Sequence, residues 1–205
     1  MKRNQEKSAH AGQSTEVQRY GTVANRPIAL DQKVRQDNCE LLNQILADTM
    51  TLRDMYKKHH WQVSGPTFYQ LHLLFDKHYG EQAELVDGIA ERVQTLGGVA
   101  IAMAHDVAET TRVTRPPRGR EDVPMQLFRL LQAHELIIEE AREAAEKANQ
   151  NGDAGTNDLL VSDVLRTNEF EVWFITEQME GSGISERSTE AAGELVGAGK
   201  HNSGR

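Results

Sequence analysis

Five residues stand out by type and spacing: His60, His72, Asp76, Asp87 and Glu91. The last four lie along one predicted helix. At about 100° per residue they point to roughly 0°, 40°, 60° and 100°, which is one narrow face. Imidazole and carboxylate together form a ligand set suited to iron or zinc, whereas the absence of thiolates argues against a structural zinc site. Within one helix the set cannot close on an ion. At a rise of about 1.5 Å per residue, His72 and Glu91 are about 28 Å apart, and Asp76 and Asp87 about 16 Å. Metal–ligand bonds are only about 2 Å long.

The pairs 72/91 and 76/87 share the midpoint 81.5. A second copy crossing antiparallel about that point sets His72 against the partner's Glu91 and Asp76 against the partner's Asp87. Two equivalent sites then form, as an isologous contact requires. Gly80 and Ala83 straddle the centre and are small enough to let two backbones approach. His, Asp and Glu on a helix face also suit a plain solvated surface; the common midpoint and the small residues favour the shared site.

Long helices must carry these groups. Leu42, Ile45, Thr49, Leu52 and Tyr56 recur at three- and four-residue intervals, and His60 continues the stripe. Taken alone, His60 suits a hydrogen-bonded core histidine. The first helix is expected from about Asp31, its N-cap, to Val63. Gly65-Pro66 breaks the chain, Thr67 caps the second helix, and Gly97-Gly98 ends it. Residues 99–121 form a long connection with a short helix near 100–108 and a stop at Arg115-Pro116-Pro117. A third helix spans about 123–149, with Leu127, Leu131, His134, Ile138, Ala141 and Ala145 as its core stripe. The turn formers of 149–155 precede a fourth helix over about 156–180.

The run HHWQVSGPTFYQLHLLFDKHYGEQAELVDGIAERVQTLGG, from His59 to Gly98, strongly resembles the ferroxidase signature of the Dps family, the mini-ferritins called DNA-binding proteins from starved cells. The resemblance extends over about 30–180. It implies an all-α, ferritin-like four-helix bundle with a long crossover, assembled into a hollow shell of twelve subunits. It also implies an intersubunit centre holding two iron ions (Fe2+/Fe3+), with His60, His72 and Asp76 from one subunit and Asp87 and Glu91 from its neighbour. The implied activity is oxidation of ferrous iron by hydrogen peroxide or oxygen, followed by storage of ferric mineral. Trp61 would lie beside the metals, shielding them or taking oxidising equivalents, or it packs at the interface. In related mini-ferritins acidic residues at the start of the last helix line a three-fold pore, and Asp153 and Asp158 fall there. Asp158 stands fifteen residues before Trp173, where the resemblance leads us to expect fourteen. His59, about 100° from His60, and His78, about 200° from Asp76, point away from the proposed site. His134 falls on a buried stripe and reads as structural.

Composition bounds the rest. The chain has 205 residues, enough for one such unit plus tails, and a single cysteine, Cys39, which excludes an intramolecular disulfide framework. No segment approaches the ~20 apolar residues of a membrane span, and the first thirty residues lack the apolar run of a signal peptide. The expected location is the cytoplasm, in association with the nucleoid if DNA is bound. Residues 1–30 are expected as a flexible arm, 31–180 as the domain and 181–205 as a flexible tail. Lys2, Arg3, Lys7, Arg19 and Arg26 against Glu6 and Glu16 give the arm +3, which leaves −11 for the rest of a chain of net charge −8. An acidic body repels phosphate, so any DNA contact must come from the arm, multiplied over many subunits. One alternative reading is a nucleoid-packing, DNA-binding protein whose metal site is mainly structural. Another is a di-iron oxygenase or full-size ferritin with its site inside one bundle, but none of the eight histidines has Glu three positions before it.

Overall fold

The computed structural model describes residues 16–180. Six helices follow in order: α1 (Gln32–Gln62), α2 (Phe68–Thr95), α3 (Ala104–Thr110), α4 (Val123–Gln150), α5 (Ala154–Asp158) and α6 (Arg166–Met179), with a π-helical segment, Leu159–Leu165, joining the last two. The residues at both junctions keep right-handed helical torsions, so Ala154–Met179 forms one continuous rod. Four long rods therefore make the bundle. α1 packs against α2 and α4, and α4 against the last rod.

Local chemistry sets the ends. At the close of α2, Gly97 takes φ 88°, Gly97 N–H donates to Gln94 O and Gly98 N–H to Val93 O. This paired pattern satisfies carbonyls the helix would otherwise leave bare. The same motif closes α4, through Gly152 at φ 75° and the bonds Gly152 N–H to Asn149 O and Asp153 N–H to Ala148 O. Gly98 is also needed for space: a Cβ there would sit 2.6 Å from Cys39 Sγ. Asp122 caps α4 by accepting from Met125 N–H, whereas Asp31 and Thr67 occupy cap positions without a side-chain cap bond.

Buried polar side chains of α1 hold the crossover in place. Asp48 accepts from Thr111 Oγ1 and from the backbone N–H groups of Arg112 and Val113. Asn43 accepts from Ile101 N–H and donates to Val99 O. The crossover helix runs over Ala104–Thr110, later than the expected 100–108. Residues 16–30 lie along the bundle: Val23, Ile28 and Leu30 pack on the core, and Ala24 N–H donates to Gly97 O at 2.7 Å. Residues 1–15 of the expected arm and the tail from 181 lie outside the described residues.

Two stripes differ in detail from the sequence reading. In α4 the buried positions are Gln126, Leu127, Leu130, Ala133, His134, Ile137, Ala141, Ala144, Ala145 and Ala148, while Leu131 and Ile138 are only half-buried. In α1 the buried stripe ends on His59, and His60 turns toward the surface.

Candidate metal half-sites

The break at Gly65-Pro66 folds α2 back along α1 and brings His60 beside His72. Their rings stack with centroids 3.7 Å apart. The Nδ1 of His60 lies 2.8 Å from the carbonyl oxygen of His72, and the Nδ1 of His72 lies 2.9 Å from that of His60. A carbonyl can only accept, so both Nδ1 atoms carry a proton, and in the neutral ring that leaves each Nε2 as the lone pair available to a ligand. Anchoring one ring nitrogen on a carbonyl is how a ligating imidazole is held in its tautomer and orientation. Asp76 completes the group, with Oδ1 3.9 Å from His60 Nε2.

Sequence reasoning missed Lys57. It lies one residue after Tyr56 on α1, and its Nζ bonds Asp76 Oδ1 at 2.5 Å and rests over the Tyr79 ring. The ammonium holds the Asp76 carboxyl below the usual carboxylate range. Any cation on Asp76 must displace or share this lysine. Its position, about 20 residues away in sequence and on another helix, left no local signal.

Asp87 and Glu91 stand at the other end of α2. Both are exposed, and neither carboxylate makes a hydrogen bond or ion pair among the described residues. The chain therefore separates the five candidates into a His60/His72/Asp76 group and an Asp87/Glu91 group. Among the described residues no three or more His, Cys, Asp or Glu side chains come together so as to hold an ion. Between the two groups, Gly80 is exposed and an added Cβ would meet nothing within 4 Å. Tyr69 (71% exposed) and Leu73 (50%) lie on the same outward face. Trp61, 73% exposed, follows His60 directly. Large aromatic and aliphatic groups open to solvent around polar ligands are the features of a contact surface. In donor chemistry, two imidazoles of fixed tautomer and three carboxylates fit iron.

The remaining candidates are structural. His59 is fully buried against Phe75, and burial pushes its imidazole down to about 3. His78 and His134 are both buried around Tyr56 Oη, the first at 3.1 Å and the second at 2.5 Å. Asp153 cannot line a pore. It is 1% exposed, pairs with Arg92, and accepts from Asn38 and from the N–H and hydroxyl of Thr156. Asp158 is exposed and bonds Ser162. The spacing of fifteen residues to Trp173 has a structural counterpart. The π-helical segment lies between the two, and a turn closed by i→i+5 bonds takes up one residue more than an α turn.

A family model for the ferritin-like domain matches residues 39–181. Among solved structures, the chain is similar to DpsC from Streptomyces coelicolor, with 56% identity, a TM-score of 0.81, and coverage of 82% of this chain and 97% of that one. An archaeal Dps homologue from Halobacterium salinarum aligns with a TM-score of 0.79 and 29% identity, over 83% of this chain and 94% of that one. A nutrient stress-induced DNA-binding protein of a Nostoc species is 35% identical over 159 residues, 78% of this chain and 86% of its own length.

Proposed function

The chain belongs to the Dps proteins of the ferritin-like family, and from that premise we propose that it is a ferroxidase that detoxifies and stores iron. Ferrous iron is its substrate. Two antiparallel copies would join the His60/His72/Asp76 half of one to the Asp87/Glu91 half of the other, giving two sites of two irons each. The dimers would close into a dodecameric shell, since a single bundle encloses no storage volume. The observation that supports this reading is the reciprocal bonding of His60 and His72, which ties up both Nδ1 atoms and leaves the Nε2 side of each ring for a ligand, with Asp76 beside His60 at a solvent-open face.

The division of roles follows from charge. The carboxylates offset the charge of two divalent ions, and the imidazoles fix their position without adding charge. Peroxide accepts two electrons, one from each ferrous ion, so paired irons avoid releasing a hydroxyl radical. Exposed Trp61, next to His60 in sequence, would serve as a shield, as a sink for stray oxidising equivalents or as a packing indole at the two-fold contact. A DNA role rests on the +3 arm and on the DNA-binding name of the Nostoc relative.

The test is ferrous oxidation by peroxide in assembled protein, followed by ferric absorbance. Two irons should be consumed per peroxide, and Asp76→Asn and Glu91→Gln should each slow the reaction greatly while helical circular dichroism is kept. Oxidation no faster than in protein-free buffer would reject the reading.

A further inference from the structure

Inside the bundle lies a chain of hydrogen-bonded side chains that the metal chemistry above leaves unused. Tyr56, His78, Gln82, His134, Asn168 and Glu171 are all 0% exposed. Their proton positions can be fixed from the backbone outward. Asn168 Nδ2 donates to the Val164 carbonyl at 2.7 Å, so its Oδ1 is the atom 2.8 Å from His134 Nδ1. An amide oxygen only accepts, so His134 carries its proton on Nδ1 and its Nε2 is a bare lone pair. Tyr56 Oη lies 2.5 Å from that Nε2 and must donate to it. The phenol oxygen in turn accepts from His78 Nδ1–H at 3.1 Å. Glu171 Oε2 stands 3.4 Å from His134 Nε2, and Gln82 Nε2 donates to it at 3.2 Å.

Burial keeps this network neutral. It pushes the His134 imidazole down to about 4, lifts the Glu171 carboxyl to about 8 and holds the Tyr56 phenol well above its ordinary range. Ordinary acid–base exchange is thereby suppressed at neutral pH. Loss of an electron is a different matter. An oxidised phenol is a strong acid, and here its proton already points at a free lone pair. The electron can leave as the proton crosses to that lone pair, so the positive charge left behind sits on an imidazole, a far stronger base than a phenol, instead of on a phenol cation. Tyr56 also precedes His60 by four residues, about 6 Å of helix rise.

We propose that Tyr56 is an internal one-electron donor to the iron chemistry, with His134 Nε2 as the acceptor of its proton. The inference rests on the ferroxidase reading and concerns a site that holds only one ferrous ion. Peroxide then needs a second electron. The ferrous ion gives one and becomes ferric, and Tyr56 gives the other and becomes a neutral phenoxyl radical. The O–O bond breaks, two protons from solvent complete two waters, and the phenol's own proton rests on His134. No hydroxyl radical leaves the protein.

The experiment uses full-length assembled protein carrying one ferrous ion per site, mixed with hydrogen peroxide and freeze-quenched for electron paramagnetic resonance. Ferric absorbance is read in parallel. A radical signal should appear, narrow when the protein is made with ring-deuterated tyrosine, and vanish in Tyr56→Phe. The chain has four tyrosines. The signal should therefore persist in Tyr20→Phe/Tyr69→Phe/Tyr79→Phe, where Tyr56 is the only one left, so the assignment does not depend on the fold of the Tyr56 variant. Iron oxidised with no tyrosine-derived radical, a signal unchanged in Tyr56→Phe, or its loss in the triple variant overturns the role of Tyr56 alone. Iron that stays ferrous overturns the ferroxidase reading, and this inference with it.

Discussion

Two inactive variants should restore activity to each other. One carries His72→Ala/Asp76→Ala and the other Asp87→Ala/Glu91→Ala. The two lesions sit at opposite ends of α2, about 22 Å apart by helix rise. Three of the four side chains are exposed and the fourth is half-buried, so the core keeps its packing. Each homodimer has two dead sites. A heterodimer differs: one site collects all four lesions and the other collects none. Random pairing at equal amounts makes about half of the dimers mixed, with one intact site of two, so about a quarter of all sites should be whole. At other mixing ratios the recovered fraction should follow the product of the two mole fractions.

The assay dissociates both proteins, reassembles them together, confirms mixed shells by native mass spectrometry and measures ferrous oxidation by peroxide. A rate near a quarter of the unsubstituted value, peaking at equal mixing, is the expected result. Confirmed mixed shells as inactive as their parents would refute a site built across the two-fold, because a site contained in one chain cannot be rescued by a neighbour.

Gly80→Leu meets open space in the single chain, so it should leave the monomer folded yet weaken dimerisation and iron binding together, as read by light scattering and ferrous titration. Removing residues 1–15, which carry Lys2, Arg3 and Lys7 against Glu6, should abolish salt-sensitive retardation of duplex DNA and spare iron oxidation; retained retardation would place the contacts elsewhere. Glu171→Gln should flatten the pH profile of stability. The folded carboxyl titrates at about 8 against an ordinary 4.5, so its stabilisation is complete below pH 4.5 and lost as pH rises toward 8. The variant should match the parent near pH 4 and exceed it at pH 8 by on the order of 4 kcal/mol in denaturant unfolding. No gain at pH 8 would mean that the carboxyl is ionised in the fold.

What the sequence disclosed and what it hid follow one physical division. Gly97-Gly98 and Gly152 mark helix ends because the left-handed turn they supply is a local requirement. The 72/76/87/91 face is legible because a helix fixes direction from residue number alone. His59 and His60 were harder. From Tyr56 the next buried position can be three or four residues on, and only packing against Phe75 selects His59. Asp153 looked like a pore carboxylate because its partner, Arg92, comes from another helix, 61 residues away. Asn168 and Glu171 went unnoticed for two reasons: polar types suggest surface, and the π-helical segment shifts their register against the rest of the last rod.

That segment bears on how α2 is used. The outward face of α2 carries Asp76, Asp87 and Glu91, open to solvent and proposed above as iron ligands. Its inward face carries His78 and Gln82, sealed against Tyr56, Asn168 and Glu171. Only the thickness of one helix, about 10 Å, separates the two. A charged interior so close to a pair of divalent ions would either repel them or draw them inward. The core therefore has to be polar enough to satisfy buried tyrosine and histidine, yet uncharged. A protonated Glu171 among neutral imidazoles meets both demands. Turning Asn168 inward supplies the bond that fixes His134 in the tautomer Tyr56 needs, and Glu171 turns inward beside it. In this reading the extra residue in the last rod is what lets the bundle hold a neutral hydrogen-bonded core behind an anionic face.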